Sequence, residues 1–314
     1  MYIAVTGLKK TKTKKGNIEV TFQIKTSYLA TTLALSICSA SVFASQVATD
    51  PGDYRPLPAG FDVAALYYQM TEHDKFYVDG VSIEDAPTLS TDIGLARWIH
   101  YIEVGGFLID PQVVIPFGSV KLNSGGSELS ATGVGDPLVG ATIWLYNNTD
   151  TKAAFAVSAF VSIPLGSYDK EQGGINIGEN RFKYVTQAAY IFPLSDSFSG
   201  EIIGEYTFFG DNDDFGGSGV TLQQDAQYGV QTHLNYQMYE ATMLSLSYYH
   251  DFGAESKVEG VKQNDELSNS RLQATVQHFL APDLQVQLQY GRSISVENGF
   301  FEDSRVNLRL VKVF

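Results

Sequence analysis

The chain is poor in several things that other protein classes need. It has one cysteine, Cys38, so no disulfide forms within it. Basic residues are outnumbered, 21 against 35 acidic, a balance that argues against a nucleic-acid partner, which requires basic patches. No run of 18 apolar residues occurs beyond the N-terminal region, so no helical membrane span is expected there. The five histidines are scattered over loop and strand ends. Glycine, tyrosine and phenylalanine are abundant at 29, 18 and 19 residues, a composition that suits strands, turns and aromatic girdles.

The first 44 residues read as a secretory signal. Lys9, Lys10, Lys12, Lys14, Lys15 and Lys25 precede an apolar run from Tyr28 to Ile37, and Val42-Phe43-Ala44 fits a signal-peptidase site. The run is shorter than the roughly 20 residues of a spanning helix, which argues against an anchor. Ile37 before Cys38 does not fit a lipoprotein signal, so Cys38 is expected to leave with the leader. Removing residues 1–44, with six Lys and one Glu, leaves 270 residues carrying 15 basic and 34 acidic side chains.

The decisive pattern is Leu284-Gln285-Val286-Gln287-Leu288-Gln289-Tyr290, which alternates without a break. In a strand, successive side chains point to opposite faces. The pattern recurs about every 10 to 12 residues up to Phe314. Repeated strands that are apolar outside and polar inside mark a transmembrane β-barrel. The spacing predicts strands at 61–70, 89–99, 103–116, 134–146, 153–164, 182–192, 200–209, 223–236, 242–252, 269–279, 284–294 and 304–314. Short turns such as Asn147-Asn148-Thr149-Asp150 alternate with long polar loops, as periplasmic turns and outer loops do in bacterial barrels. The expectation is an all-β, antiparallel, up-and-down barrel of about 12 strands at 61–314. Residues 45–60, with Pro51, Pro56 and Pro58, read as an extended periplasmic lead-in.

Phase assigns the lumen. Arg181, Lys183, Glu201, Glu205, Asp225, Asp251, Arg271, Gln285, Gln287, Gln289, Arg305 and Arg309 are expected to line it. An Arg or Lys on the lipid face at midplane costs roughly 2–4 kcal/mol, which leaves the lumen as their place. The carboxylates and cations among them read either as a selectivity lining or as ladders that neutralise one another. Tyr67, Tyr68, Trp98, Trp144, Phe208 and Tyr248 read as girdle aromatics. Phe314, with Leu308 and Leu310 on its face, resembles the C-terminal strand recognised by the outer-membrane assembly machinery, although Lys312 stands where an aromatic is common.

Asp211-Asn212-Asp213-Asp214-Phe215-Gly216 fails as an EF-hand, because Phe215 and Leu222 stand where oxygen ligands are required. No histidine has a serine two residues away on its own strand, so a barrel hydrolase would need a triad assembled across strands. Nothing in the sequence suggests a catalytic site, a cofactor, an energy source or a plug domain.

Four stretches carry a resemblance. They are Gly52-Asp53-Tyr54-Arg55-Pro56-Leu57-Pro58-Ala59-Gly60, Ile115-Pro116-Phe117-Gly118, Gly133-Val134-Gly135-Asp136-Pro137 and Pro164-Leu165-Gly166-Ser167-Tyr168. With them the chain resembles the meta-pathway phenol-degradation family of outer-membrane proteins, also described as transporters. The resemblance covers about the first half of the expected mature chain. It implies a barrel that admits hydrophobic or aromatic solutes. The expected function is a passive outer-membrane channel for small solutes, in contact with outer-membrane lipid and lipopolysaccharide. The alternatives are a non-conducting structural or interaction barrel and an outer-membrane lipid hydrolase.

Overall fold

The computed structural model describes residues 8–12, 18–22 and 48–314. Leu8–Lys12 and Ile18–Phe22 pair as a short antiparallel ribbon. The expected cleavage site and Cys38 lie outside the described residues.

Twelve long strands form the barrel: β1 (Asp62–His73), β2 (Thr88–His100), β3 (Phe107–Ser124), β4 (Leu138–Asn148), β5 (Ala153–Ser162) and β6 (Lys183–Pro193). They continue as β7 (Phe198–Phe209), β8 (Gln227–Tyr239), β9 (Thr242–Gly253), β10 (Leu267–Ala281), β11 (Leu284–Ser295) and β12 (Ser304–Val313). Each pairs antiparallel with its sequence neighbours. β12 returns to β1 in the register Leu308↔Tyr68 and Val313↔Val63, which closes the sheet. The chain ends meet at this seam, where Phe314 N–H donates to the Asp62 carbonyl at 2.9 Å. Closure removes the free edges that lipid could not satisfy.

All twelve expected strands are present, and their bounds differ mainly at the outer ends. β3 runs through Pro111 and Pro116 to Ser124 instead of ending at Pro116. Ser127–Val134 folds back on its upper half, and β4 begins only after Gly135-Asp136-Pro137. The lower half of β3 pairs β4 directly, with Val114 opposite Leu138.

The alternation predicted for the faces holds. Leu66, Ile202, Leu234, Leu246, Leu288 and Leu308 stand exposed on the outside, as a lipid-facing band requires. Aromatic rings gather above and below it. Phe182, Tyr184 and Phe208 form one run near the long loops, and Tyr206, Tyr228 and Phe252 extend it. Near the short turns, Tyr190 stacks with Phe192, Phe198 with Tyr236, and Trp98 with His100. Tyr67 and Trp144 do not join these girdles. Tyr67 accepts from Arg97 inside the barrel, and Trp144 is 3% exposed and faces the lumen.

The outer loops carry small sheets of their own. Lys75–Val78 pairs with Gly299–Phe301, and Val220–Gln224 pairs with Asn212–Phe215 and Ser256–Val258. At the short-turn end the interior is apolar. Val63, Ile99, Tyr101, Trp144, Ala154, Ala156, Ala189, Ile191 and Ile203 pack there around Tyr54.

Candidate functional site: the barrel lumen

Tyr54 belongs to none of the twelve strands. It comes from the segment expected to be a periplasmic lead-in, and from Thr49 to Arg55 that segment lies among lumen side chains. The physical reason is charge and hydrogen-bond complementarity to the wall. Arg309 donates to Asp50 and to Asp53, each at 2.8 Å. Arg97 on β2 donates to the second Asp53 oxygen at 3.0 Å. Glu201 on β7 accepts the Gly52 N–H at 2.9 Å, and Arg55 donates to Ser199 at 2.7 Å. Tyr54 Oη donates to Gln187 at 2.7 Å and lies 2.9 Å from Ser158. The Trp144 indole N–H donates to the Tyr54 carbonyl at 2.9 Å. Deeper in the barrel, Thr49 donates its N–H to Gln231 at 2.9 Å and its hydroxyl lies 3.1 Å from His233 Nε2.

This anchoring sets the ionisation of the two aspartates. Burial works against the charge of Asp53, but Arg309 and Arg97 outweigh it and hold the carboxyl below its ordinary range. Burial dominates at Asp50 and raises it, with Arg309 acting in the opposite direction. Such a buried, doubly bonded arginine is costly to remove, because its partners stay behind as uncompensated charges.

The residues predicted to line the lumen divide into three groups. Gln285, Gln287, Gln289, Glu201 and Arg309 meet the inserted segment or the side chains that hold it. Arg309 donates to Gln285 at 2.9 Å, Gln289 to Asp50 at 2.8 Å, and Gln277 to both Gln287 and the Pro51 carbonyl. A second group meets the outer loops. Arg181 donates to Glu179 at 2.9 Å, and Lys183 pairs with the same carboxylate. Burial disfavours the charge of Glu179, but Lys183 and Arg181 outweigh it and hold it at about 2. Arg305 is likewise held by Glu302, with Nε donating at 2.8 Å. A third group stays within the wall: Glu205 accepts from Gln187 at 2.7 Å, Asp251 from Gln227 at 3.3 Å, and Arg271 lies 3.7 Å over the Tyr249 ring.

Two expectations are corrected. Asp225 is not in the lumen. It lies between Val220–Gln224 and β8, pairs with Lys257, and is an outer-loop residue. Its strand was predicted four residues too early, because Gln223 and Asp225 continue the phase of β8 across a break. Nor do the wall strands alone supply the ion-pair ladders, since Arg309, Arg305, Arg181 and Lys183 take carboxylates from the inserted segment and the loops. Asp50, Asp53, Tyr54 and Arg97 were not foreseen as lumen residues. The available signal was an acidic pair, Asp50 and Asp53, upstream of a barrel whose lumen is rich in arginine.

One arrangement has the residue types of a catalytic dyad. His233 Nδ1 lies 2.8 Å from Ser247 Oγ across the β8–β9 pair. Its other nitrogen meets Thr49, and Ser247 is 0% exposed. Each imidazole nitrogen thus meets a hydroxyl, one on β9 and one on the inserted segment.

The outer mouth contains a tight junction. The Asp136 carboxylate accepts the N–H of Gly166 at 2.8 Å and of Glu179 at 2.7 Å. A Cβ on Gly166 would stand 2.7 Å from the Gly135 carbonyl carbon, so glycine is required for this approach. The Gly133–Pro137 and Pro164–Tyr168 motifs thus meet in space.

A family profile described as "Putative MetA-pathway of phenol degradation" matches residues 74–310. The chain belongs to that family. The match begins after the Gly52–Gly60 motif and includes the second half of the barrel, where the sequence showed only strand rhythm. An outer-membrane channel from Pseudomonas putida F1 is 31% identical, with a TM-score of 0.81 over 85% of this chain and 100% of that one. The transport unit of the autotransporter AIDA-I from Escherichia coli is 10% identical, with a TM-score of 0.56 over 93% and 99%. The β domain of the Bordetella autotransporter Brka is 9% identical, with a TM-score of 0.51 over 82% and 100%. These last two share the fold alone. No curated protein matches the chain. The family's barrel belongs in the bacterial outer membrane.

Proposed function

We propose that the protein is a passive outer-membrane channel for small solutes, obstructed at its periplasmic end by residues 49–55. The observation that carries the reading is a closed barrel with a polar inner face, 31% identical to a protein described as an outer-membrane channel. Twelve strands fall between the eight that side chains can fill and the sixteen or more that leave an aqueous pore. Conduction therefore requires the inserted segment to shift or leave. The family's description supports aromatic solutes as cargo. The protein acts without catalysis, a reading that its likeness to an outer-membrane channel supports. Residues 1–44 serve as the export signal, the strand ending in Phe314 as the assembly signal, and the outer surface meets lipopolysaccharide.

The buried Asp50–Arg309–Asp53 cluster also favours a second reading, a barrel that never conducts. Flux separates the two. The chain refolded into liposomes admits small polar and aromatic solutes above protein-free controls if it is a channel. A verified folded barrel with no flux contradicts the channel.

A further inference from the structure

The lumen is two-sided above the inserted segment. The inner faces of β2, β3 and β4 carry Leu95, Val114, Pro116 and Leu138, placed on one face by the pairs Leu95↔Pro116 and Val114↔Leu138. Arg97, which shares that face with Val114, holds Asp53 inside the barrel, so the face is the inner one. All four apolar side chains are only half-buried, so space adjoins them.

Arg271 stands on β10, six strands around the twelve-strand barrel from β4 and therefore across the lumen from it. It lies ten residues above the short-turn end of its strand, as Leu138 does on β4. The guanidinium rests over the Tyr249 ring at 3.7 Å and, among the described residues, donates to Gln273 alone, at 3.0 Å. Among the described residues no carboxylate comes within 4.0 Å of it. Glu302 holds Arg305, one oxygen of Asp251 accepts from Gln227 at 3.3 Å, and both carboxylates act on Arg271 only from beyond 4.0 Å. Stacking fixes the plane of the guanidinium, and Arg271, on the inner face of β10, is only partly buried. A planar fork of free N–H groups matches a carboxylate bidentately.

We infer that the outer half of the lumen holds a binding site for an amphipathic monocarboxylate, with the carboxylate on Arg271 and an aromatic or alkyl body toward the Leu95–Leu138 wall. The inference rests on the channel reading for its place in transport, but the site itself does not require conduction. It separates ring carboxylates from phenols. A phenol with an ordinary pKa near 10 is neutral at pH 7 and offers no charge to the guanidinium.

The test is equilibrium binding of benzoate, benzamide and phenol to the full chain, purified folded in detergent micelles. Benzoate is expected to bind at least tenfold more tightly than either neutral probe. Arg271→Gln removes that preference, and Arg271→Lys keeps the charge but loses the fork, reducing the preference several-fold. Leu138→Ser weakens all three probes alike. Equal binding of the three probes, or a preference that survives Arg271→Gln, overturns the inference. If Arg271→Gln does not fold, an unaltered preference in Arg271→Lys overturns it instead. Liposome flux measured beside binding keeps the two readings apart. Selective binding without flux supports the site and contradicts the channel, whereas flux with unselective binding contradicts the site alone.

Discussion

Arg309 and Asp53 are 256 residues apart in the chain and meet at 2.8 Å inside the barrel. The last strand thereby grips the segment that precedes the first. Arg309 is the hub of that grip, since it also holds Asp50 and is only slightly exposed. Arg309→Gln leaves two buried carboxylates without their shared cation. Breaking a buried pair in this way costs about 3–5 kcal/mol, most of it from the docked position of the segment. Single-channel conductance in planar bilayers is expected to rise above wild type, and an unchanged trace would remove Arg309 from the gating account.

Acid acts on the same pair in two directions. Asp50 has a raised pKa when docked, so its protonation favours docking, and this contribution fades as the pH rises through that docked value. Asp53 has a lowered one, so its contribution is full above the ordinary carboxylate value of about 3.9 and is lost as the pH falls through its docked value. Conductance is therefore expected to stay flat or fall from pH 7 to about 4 and to rise only below that. A rise already at pH 5 would show that Asp53 is not the group that retains the segment.

Trp144 offers an optical reporter. The chain has two tryptophans. Trp98 is exposed on the lipid face, and Trp144 is buried against Tyr54. In a Trp98→Phe background, emission reports Trp144 alone. Arg309→Gln is expected to shift that emission to the red, as water replaces the Tyr54 carbonyl. The Trp144→Phe change deletes one hydrogen bond and weakens docking by about 1 kcal/mol, read as a modest rise in conductance.

The twelve strands were legible because most carry their own period-2 record, and β10, β11 and β12 show it unbroken over 271–277, 284–290 and 305–310. Outer strand ends were less legible. There the lipid no longer demands apolar side chains, so Gln223 and Asp225 read like lumen residues, while Gln223 lies in a loop sheet and Asp225 just after it. The inserted segment was illegible for a different reason. Asp50 and Asp53 are exposed-looking residues in a Pro-rich stretch, and only the closed barrel brings Arg97 and Arg309 to them. Tyr67 and Trp144 were misplaced because a girdle aromatic and a lumen aromatic share a composition and differ only in phase.

Gly166 tests the outer junction. Gly166→Ala places a Cβ 2.7 Å from the Gly135 carbonyl carbon and 2.8 Å from the Asp136 nitrogen, both backbone atoms. Overpacking of this kind costs about 1–3 kcal/mol. The 163–182 loop is expected to become sensitive to added protease while the barrel keeps its heat-modifiable mobility. Equal protease resistance would show that the junction tolerates the added methyl.

The central claim is that residues 49–55 obstruct an otherwise conducting barrel. Its most direct test compares solute flux through liposomes carrying residues 45–314 or residues 56–314, each verified as folded. The account predicts that removing the segment raises the flux of small polar solutes at least tenfold. Equal flux from the two barrels would contradict it.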